Sequence, residues 1–546
     1  MAEGGVTQTR PAAAGKPARL RVGVLLDDWE GPQWLRGLLD RLRASRVAEV
    51  VLVVKNPAPP RHGLGDVLAG GGQSLLFHLY TRLDDLVFRR RAAEDVLGPT
   101  DLRPALRGAT IVEAEAQGGE LAGAALDAFA GAGLDVLLQF GFAGLSGRAL
   151  DVARHGVWSY DHAMDAGLDG LWEVLDGEPT TVSTLRARGP GGAAERVLYR
   201  SWSATDHHSL ARSRQNRYAK SAEFVLRKLS ELQRGAAAGV PEDEAPPLRT
   251  PGNLELAGRL ARLGARFARD KWMQWRGLEQ WVLAYDRSGG PAHHGVVPGQ
   301  LEYLVPPADR FWADPFPVEH DGGWYLFFEE YEQGSRRGRI AMLRLGRDGS
   351  RSAPEPVLEG ASHYSYPCVF RWKQHWLMIP ETSARRTVEL YRATRFPDRW
   401  ERCGTPISGV RAVDTTIAEI DGRWWLFTCM AEEGALAYDE LFLFHADSPF
   451  GPFTPHRKNP VISDVRSARP AGRLYHDGVA WHRPAQDCAA RYGYATVINR
   501  IDRLTPDEYA ETTVARIEPD WDPRIVATHT FNRAGNLTIV DALRLR

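Results

Sequence analysis

The chain has 546 residues, of which 43% are hydrophobic, and its 68 basic residues nearly balance 69 acidic ones to give a net charge of −1. This length exceeds what one hydrophobic core supports and predicts two or more domains, while the neutral charge gives no reason to expect a nucleic-acid partner. No apolar run approaches a membrane span, and residues 1–19 lack the apolar segment of a signal peptide, so we predict a disordered N-terminus on a cytoplasmic protein.

Residues 20–235 form a predicted α/β domain, and within it residues 20–160 alternate strands and helices. The strand segments RLRVGVLL, AEVVLVVKN and LDVLLQFGF are separated by helical segments, and a further helix is predicted from Leu145 to Arg154. This alternation predicts a parallel sheet with helices on both faces. A charged helix from His208 to Gly235 completes the predicted α/β domain.

Residues 236–298 form a predicted linker. A Pro/Glu-rich stretch, AAAGVPEDEAPPLRTPGN, leads into a basic amphipathic helix from about Leu254 to Trp281. Such a helix most often packs its apolar face on its own domain and leaves its arginines in solvent. Attachment to an anionic membrane surface is the alternative.

Residues 299–546 repeat a pattern of a polar or acidic residue, an apolar strand, a short turn and a second apolar strand that contains Trp. Clear copies start at Trp312, Tyr366 and Asp414, and looser copies start at Ala468 and Thr528. Strand-rich units with a period of about fifty residues indicate a β-propeller, in which each blade covers the apolar face of its neighbour. The repeats predict five blades.

The polar residues at the strand ends should meet at one mouth of the central channel. In a blade, the first strand starts near the central axis and the second strand returns beside that start. The opening residues are Asp314, Tyr366, Asp414, Arg469 and His529, and the closing residues are Glu381 and either Glu329 or Glu330. Only one of that last pair should point into the channel, because side chains alternate along a strand.

Several carboxylates at one mouth favour sugar chemistry, because glycosyl cleavage or transfer uses one carboxylate as base or nucleophile and another as acid. The predicted catalytic residues are Asp314 (base or nucleophile), Glu381 (acid) and Asp414 (tuning or substrate binding). The predicted substrate-binding residues are Trp312, Glu330, Tyr366, Arg469 and His529. A structural alternative is that Asp314 starts a turn before its proline and that Arg469 and His529 hold blades together.

Two resemblances concern the propeller. Asp314, within Trp-Ala-Asp-Pro, is similar to the first catalytic Asp of five-bladed propeller glycosidases of the arabinanase and fructosidase type. The segments RFWADPF, NPVISDVRSARPAGRL and QDCAARYGYATVINRIDRLTPDEY resemble the propeller-like N-terminal region of glucosamine inositolphosphorylceramide transferases. In that family the recognised glycosyltransferase domain is a separate C-terminal module. The resemblance therefore implies a carbohydrate-related propeller whose own reaction is open.

A third resemblance concerns the first domain. The segments LDVLLQFGFAGLSGRALDVARHGVWSYDH, LWEVLDGEPTTVSTL and SLARSRQNRYAKSAEFVLRKL resemble the formyltransferase superfamily that uses formyltetrahydrofolate. That family carries Asn-x-His for oxyanion stabilisation and proton transfer. Here Ser159 stands at the Asn position and Asp161 at the His position, with His162 one place later. The resemblance implies a Rossmann-like formyltransferase scaffold with a vestigial site at Ser159, Asp161 and His162.

The leading hypothesis is a carbohydrate-active enzyme that cleaves or transfers a glycosyl unit of a carbohydrate or glycoconjugate at the acidic rim of the propeller. One alternative is a sugar-amine formyltransferase that binds formyltetrahydrofolate and holds the glycan with its propeller. Another is a non-enzymatic scaffold for glycan binding or assembly. The leading hypothesis requires no cofactor, and the scattered cysteines predict neither a zinc site nor a disulfide framework.

Overall fold

The computed structural model describes residues 18–58, 74–89, 95–121, 123–164, 167–189, 194–236, 239–241, 248–277, 279–288, 301–432 and 434–546. Residues 1–17, which make up most of the segment predicted to be disordered, lie outside this set. The described residues form an α/β domain, a connecting helix and a propeller.

The α/β domain contains one large sheet and two small ones. In chain order its strands are β1 (Leu20–Leu26), β2 (Glu30–Pro32), β3 (Ala48–Lys55), β4 (Pro99–Asp101), β5 (Thr110–Glu113), β6 (Ala116–Gln117), β7 (Glu120–Leu121), β8 (Val136–Gln139), β9 (Val157–Tyr160), β10 (Thr180–Arg188), β11 (Arg196–Ala204) and β12 (Val240–Pro241). The helices of the first half are α1 (Gln33–Ala44), α2 (Leu75–Phe88), α3 (Gly123–Ala132), α4 (Asp161–Met164), α5 (Leu171–Asp176), α6 (Leu210–Gln233) and α7 (Asn253–Arg276).

The large sheet has the strand order β12-β11-β10-β9-β8-β1-β3-β5. Strands β5, β3, β1, β8 and β9 pair in parallel, whereas β10, β11 and β12 are antiparallel. The parallel sheet predicted from the alternating strands and helices of residues 20–160 is confirmed by these five strands. The antiparallel edge lies beyond that range, where β10 and β11 form a hairpin and need no helical crossover. Val24 of β1 packs with α1 and α6, and the adjacent Leu25 packs with α3, so helices cover both faces as predicted.

The helix predicted from Leu145 to Arg154 is only a short 3-10 turn, Gly147–Asp151. Gly144 and Gly147 adopt φ angles of 74° and 64°, which belong to turns and not to an α-helix. Their backbone breaks the helical path between β8 and β9.

The basic helix also ends earlier than predicted. Helix α7 stops at Arg276, and Gly277 follows with a φ of 59°, the left-handed cap that commonly ends helices. Trp281, which was predicted to lie on the helix, belongs to a strand of the propeller. Among the described residues, no helix is both long and apolar enough to span a bilayer.

The propeller has five blades, as predicted. The connecting strands before the first complete blade are β13 (Glu279–Asp286) and β14 (Glu302–Leu304). Blade 1 contains β15 (Arg310–His320), β16 (Gly323–Glu332), β17 (Arg337–Gly346) and β18 (Glu355–Leu358). Blade 2 contains β19 (Ser365–Trp372), β20 (His375–Glu381), β21 (Thr387–Arg395) and β22 (Arg399–Ser408).

Blade 3 contains β23 (Ala412–Ile420), β24 (Arg423–Met430), β25 (Glu440–Ala446), β26 (Thr454–Pro455) and β27 (Ile462–Ser463). Blade 4 contains β28 (Arg469–Pro470), β29 (Tyr475–His476), β30 (Trp481–Asp487), β31 (Ala495–Leu504) and β32 (Tyr509–Ile517). Blade 5 combines β13 and β14 with β33 (Ile525–Ala527), β34 (Phe531–Ala534) and β35 (Leu537–Leu545).

Blade 5 closes the ring with strands from both ends of the propeller. Strand β13 pairs antiparallel with β35 over its whole length, from Glu279 opposite Leu545 to Asp286 opposite Thr538. The propeller sheet therefore starts at Glu279 and not at residue 299. The local pattern did not reveal this strand, because its partner lies about 250 residues away in sequence and such pairing is non-local.

The α/β domain is fixed to blade 3 by buried ion pairs. Lys220 Nζ of α6 lies 2.6 Å from Asp439 Oδ2, and Arg227 contacts both carboxylate oxygens of Glu440 at 2.6 and 2.9 Å. Lys220 and Asp439 are 1% and 2% exposed. Breaking such an ion pair would leave an unpaired buried charge, which costs folding free energy, so these pairs hold the two domains together.

Candidate active site

Three blades open their innermost strand with the same irregularity. In blades 1, 2 and 3 a β-bulge interrupts the pairing of the first strand with the second. Inside each bulge one residue has a positive φ: 52° at Asp314, 44° at Tyr366 and 50° at Asp414. Residues other than glycine rarely adopt this conformation, and it concentrates at functional sites. The bulges turn these three positions away from regular pairing at one mouth of the channel.

The strand ends surround a cavity of about 370 Å³, which is within the roughly 300–1,000 Å³ range of small-ligand pockets. Five predicted site residues line it together: Asp314, Glu381, Asp414, Arg469 and His529. The remaining walls include the aromatic rings of Phe311 and Tyr331, which stack at a centroid distance of 4.7 Å. The cavity therefore combines a charged floor with an apolar wall.

Three predicted substrate contacts lie outside this cavity. Trp312 is buried, and its indole nitrogen donates a hydrogen bond to Glu330 Oε2 at 3.0 Å. Glu330 in turn accepts a hydrogen bond from Arg339 Nη2 at 2.7 Å. The Tyr366 hydroxyl accepts a hydrogen bond from the Gly472 backbone N–H at 2.6 Å. These three side chains make contacts within the protein, and their role in substrate binding stays a prediction. Glu329, and not Glu330, lines the cavity.

Asp314 belongs to a buried chain of charges. Its Oδ1 atom lies 3.2 Å from His529 Nε2 and accepts a hydrogen bond from the Thr530 hydroxyl at 3.0 Å. On the other side of the imidazole, His529 Nδ1 lies 3.0 Å from Asp541 Oδ2. The Tyr366 backbone N–H donates to Asp314 Oδ2 at 3.2 Å, so both carboxylate oxygens of Asp314 are held.

The protonation of this chain follows from its geometry. Burial alone would lower the pKa of His529, but the charges of Asp541 and Asp314 overcome that effect and raise it to about 10. Burial alone would raise the pKa of Asp314, but His529 and Thr530 hold it below its usual value. At neutral pH, Asp314 is therefore a carboxylate beside a positively charged imidazole.

This arrangement predicts a pH-dependent stability. A histidine whose pKa is higher in the folded protein than in the unfolded chain stabilises the fold. This stabilisation is complete below pH 6.5, the pKa of His529 in the unfolded chain, and it disappears as the pH rises through about 10. Folding raises the pKa of His529 from 6.5 to about 10, and each tenfold change in proton affinity corresponds to about 1.4 kcal/mol. We therefore expect the His529→Asn variant to be less stable than the wild type at pH 6 by a few kcal/mol. The gap should narrow towards pH 10. Thermal unfolding across this range measures the effect, and the His375→Asn variant is the control for the loss of an exposed imidazole.

The surroundings of Glu329 favour its protonated form. Burial raises the pKa of Glu329 well above its usual value, and the neighbouring charges of Asp314 and Glu381 raise it further. His363 Nε2 lies 3.2 Å from Glu329 Oε1, but burial lowers the pKa of His363, so the imidazole is neutral at pH 7. Two carboxyl groups in one cavity thus differ in protonation, which is the condition for acid and base to act together.

Asp414 and Glu381 face one guanidinium. Arg469 Nε donates to Asp414 Oδ2 at 2.5 Å, and Arg469 Nη2 lies 4.0 Å from Glu381 Oε2. Burial raises the pKa of Asp414 to about 7 against the lowering effect of Arg469. The Tyr492 ring lies 4.9 Å from the Arg469 guanidinium carbon and fixes its plane. This cluster can orient a polar substrate and adjust the charge of the cavity.

One group in the described part of the chain has the composition of a metal site. The ligand atoms of Asp314, His529 and Asp541 lie within 4.8 Å of one another. A metal ion at this position would have to displace the proton that the two carboxylates stabilise on His529, because histidine binds a metal as the neutral imidazole. In this arrangement the three residues act as a network of ion pairs.

The residues of the predicted vestigial site of the α/β domain make contacts within the domain. The Asp161 carboxylate accepts hydrogen bonds from the Thr184 backbone N–H at 3.1 Å, and the His162 ring stacks on Tyr218 at 4.2 Å. Ser159 is buried at the end of β9. These side chains support the core here, and the formyltransferase likeness stays a prediction.

Sequence reasoning missed Trp281, Asp541, Tyr492 and His363. Trp281 lies 4.3 Å from the His529 ring, but the strand that carries it was assigned to the helix. Asp541 could have been found, because it lies on the second strand of the last repeat, where the earlier repeats carry Glu329 and Glu381. Tyr492 and His363 stand on connections between strands, where the repeat gives no signal.

One known protein family matches the propeller. Residues 278–522 match the family described as glucosamine inositolphosphorylceramide transferase 1, N-terminal. The predicted resemblance of the propeller to that N-terminal region is confirmed. The matched segment starts next to β13. It covers less than half of the chain and leaves the α/β domain outside.

Two plant relatives carry the same likeness. Glucosamine inositolphosphorylceramide transferase 1 of Oryza sativa subsp. japonica is 34% identical over 209 residues, which is 38% of this chain and 28% of that protein. The Arabidopsis thaliana protein of the same name is 34% identical over 210 residues, which is 38% of this chain and 27% of that protein. The chain thus aligns with under a third of the length of these relatives.

Solved structures with similar architecture include two glycoside-degrading enzymes. Zg3597, a family 117 glycoside hydrolase of Zobellia galactanivorans, aligns with a TM-score of 0.32 at 12% identity over 49% of this chain and 91% of that chain. An exo-1,5-alpha-L-arabinanase from a bovine ruminal metagenomic library aligns with a TM-score of 0.31 at 14% identity over 44% of this chain and 95% of that chain.

Proposed function

We infer that this protein is a carbohydrate-active enzyme that cleaves or transfers a glycosyl unit in the propeller cavity. The observation that carries the proposal is the pairing of an ionised Asp314 with Glu329, whose protonated form is favoured, in one cavity of about 370 Å³. Glycosyl chemistry requires such a pair, because one group stabilises or attacks the anomeric carbon while the other protonates the leaving oxygen.

The proposed roles follow from these protonation states. The bond between the anomeric carbon and the leaving oxygen breaks, and Glu329 gives its proton to that oxygen. Asp314 either bonds to the anomeric carbon or takes the proton of the incoming water or hydroxyl. Both routes balance in atoms and charge.

Glu329 replaces Glu381 as the proposed proton donor. Glu381 already accepts a hydrogen bond from Ser383 Oγ at 2.7 Å and faces the Arg469 guanidinium. Glu329 instead lies beside the neutral His363 imidazole, and the charges of Asp314 and Glu381 favour its protonated form. We assign Glu381 to substrate orientation. Asp414 and Arg469 keep their proposed tuning and binding roles.

The family match supports a sugar substrate. The two named relatives are glucosamine inositolphosphorylceramide transferases, and their similarity to this chain falls on the propeller that holds the cavity. We propose a glycoconjugate substrate on this basis. The α/β domain then serves as a support that docks on blade 3.

Glu329 and Glu330 provide a matched test, since they are neighbours that face opposite ways. We expect Glu329→Gln to lose about 10²–10⁴-fold in turnover of glycosides with poor leaving groups. The loss should be less than about tenfold with a dinitrophenyl glycoside, whose leaving group needs no proton. Glu330→Gln should retain turnover of both substrate types.

A panel of aryl glycosides and oligosaccharides, screened for released sugar, identifies the substrate to use. If both variants lose turnover equally with both leaving groups, Glu329 is not the proton donor. If the wild type binds glycans and turns over none of them, the protein is a glycan-binding scaffold and the enzyme proposal fails.

A further inference from the structure

The exposed face of α7 carries an unbroken stripe of small and apolar side chains. We call these residues the α7 face: Leu254, Gly258, Ala261, Ala265, Ala268, Trp272 and Trp275. Their spacing alternates between four and three residues, which keeps them on one side of a helix. Leu254 is 90% exposed, Trp275 80% and Trp272 50%. A stripe of this kind open to solvent indicates an interaction surface.

The opposite side of α7 fixes its orientation on the protein. Leu256 is fully buried and packs in one apolar cluster with Phe77 of α2 and Leu171 of α5. Arg266 Nη2 donates a hydrogen bond to the Val174 carbonyl oxygen at 2.6 Å. Because this side is held by the α/β domain, the α7 face points outward.

The neighbouring helix exposes a second apolar stripe. Helix α2 packs beside α7, and it leaves Leu79, Leu83 and Leu86 half or more exposed. Leu83 is 61% exposed. Two adjacent helices therefore both present apolar side chains to solvent, which single scattered residues would not do.

Charge decides which partner fits the α7 face. Arg262, Arg269 and Arg276 lie along one edge of the stripe, and Lys271 lies near the other edge. The two carboxylates of α7 are engaged: Glu255 contacts Arg249 at 2.8 Å, and Asp270 contacts His208 at 3.0 Å.

A second copy of this helix is a poor partner. It would bring arginines close to arginines, and its carboxylates are already paired, so like charges would face each other without compensation. An anionic surface complements the edges, and an apolar layer complements the stripe.

We propose that the α7 face binds an anionic lipid bilayer surface and holds the protein at the membrane. Trp272 and Trp275 enter at the level of the headgroups, where indole rings accumulate, and the flanking arginines meet lipid phosphates. The Arg276 guanidinium lies 5.1 Å from the Trp272 ring, so charge and ring act at the same point. This inference is independent of the reaction in the propeller.

Vesicle flotation with the full chain tests the proposal. We expect binding to vesicles of phosphatidylcholine with about 30% phosphatidylglycerol, little binding to pure phosphatidylcholine, and release as salt rises from about 0.05 to 0.5 M. The variant Trp272→Ala/Trp275→Ala, which removes exposed rings, should weaken binding by about tenfold or more. The variant Arg262→Glu/Arg269→Glu/Arg276→Glu should weaken it at least as much.

The matched control reverses three exposed charges on the propeller. Arg371→Glu/Lys373→Glu/Arg392→Glu changes the net charge equally and should bind vesicles like the wild type. Equal losses for both charge variants would mean non-specific attraction and would overturn the proposal. Failure of the wild type to float, dimerisation through α7, or tighter binding to soluble heparin than to vesicles would overturn it as well.

Discussion

The Asp314→Asn variant should retain the fold and lose about 10²–10⁴-fold in kcat/KM. Asp314 is held as a carboxylate by His529 and Thr530 at the floor of the cavity. An amide has nearly the same shape and can still accept the backbone hydrogen bond from Tyr366, so the cavity should persist. It can neither attack an anomeric carbon nor accept a proton, so the loss should fall on the chemical step.

Asp309 supplies the control for this substitution. Asp309 lies directly before β15, the strand that carries Asp314. It is exposed and contacts Arg310 outside the cavity. Asp309→Asn should turn over the substrate at the wild-type rate. Equal kcat/KM values for the wild type and Asp314→Asn would remove Asp314 from the mechanism, whereas a raised KM with unchanged kcat would restrict it to substrate binding.

The second large effect concerns stability at the interface between the domains. Replacing Lys220 with Met removes the cation but leaves Asp439 buried among α6 and blade 3. An uncompensated buried charge costs about 3–5 kcal/mol, so we expect a clear fall in the melting temperature. Differential scanning calorimetry and proteolysis of the linker measure the melting and the separation of the domains.

A double substitution separates charge from packing. In Lys220→Met/Asp439→Leu both charges are gone, and most of the lost stability should return. The exposed Lys458→Met variant should stay within about 0.5 kcal/mol of the wild type. If Lys220→Met melts like Lys458→Met, the ion pair does not hold the domains together.

The blades were predictable because the sequence pattern that forms them lies within a short stretch of the chain. In blades 1 to 3 the first two strands are apolar and flank a short turn, and the turn and the tryptophan recur at a nearly constant distance. Strand β13 escaped prediction because nothing near it in sequence pairs with it. Its place in the ring depends on β35, at the far end of the propeller.

The residues at the rim were predictable from the polar positions at the strand ends, but the direction in which their side chains point was not. Both faces of a blade are buried by neighbours, so Trp324 and Phe328 on one face are as apolar as Phe327 on the other. Hydrophobicity therefore cannot show which of Glu329 and Glu330 enters the channel. The protonation states could not be predicted from the sequence either, because they depend on charges that all five blades bring to one cavity.

The closure of the ring sets the order in which the cavity forms during synthesis. Trp281 leaves the ribosome with the first strand of the propeller, whereas His529 and Asp541 leave with the last. Until β35 pairs with β13, Asp314 has no imidazole beside it and the cavity lacks one wall. A chain released before Thr528 would therefore lack His529 and Asp541 even with four blades folded, so the proposed reaction requires the complete ring.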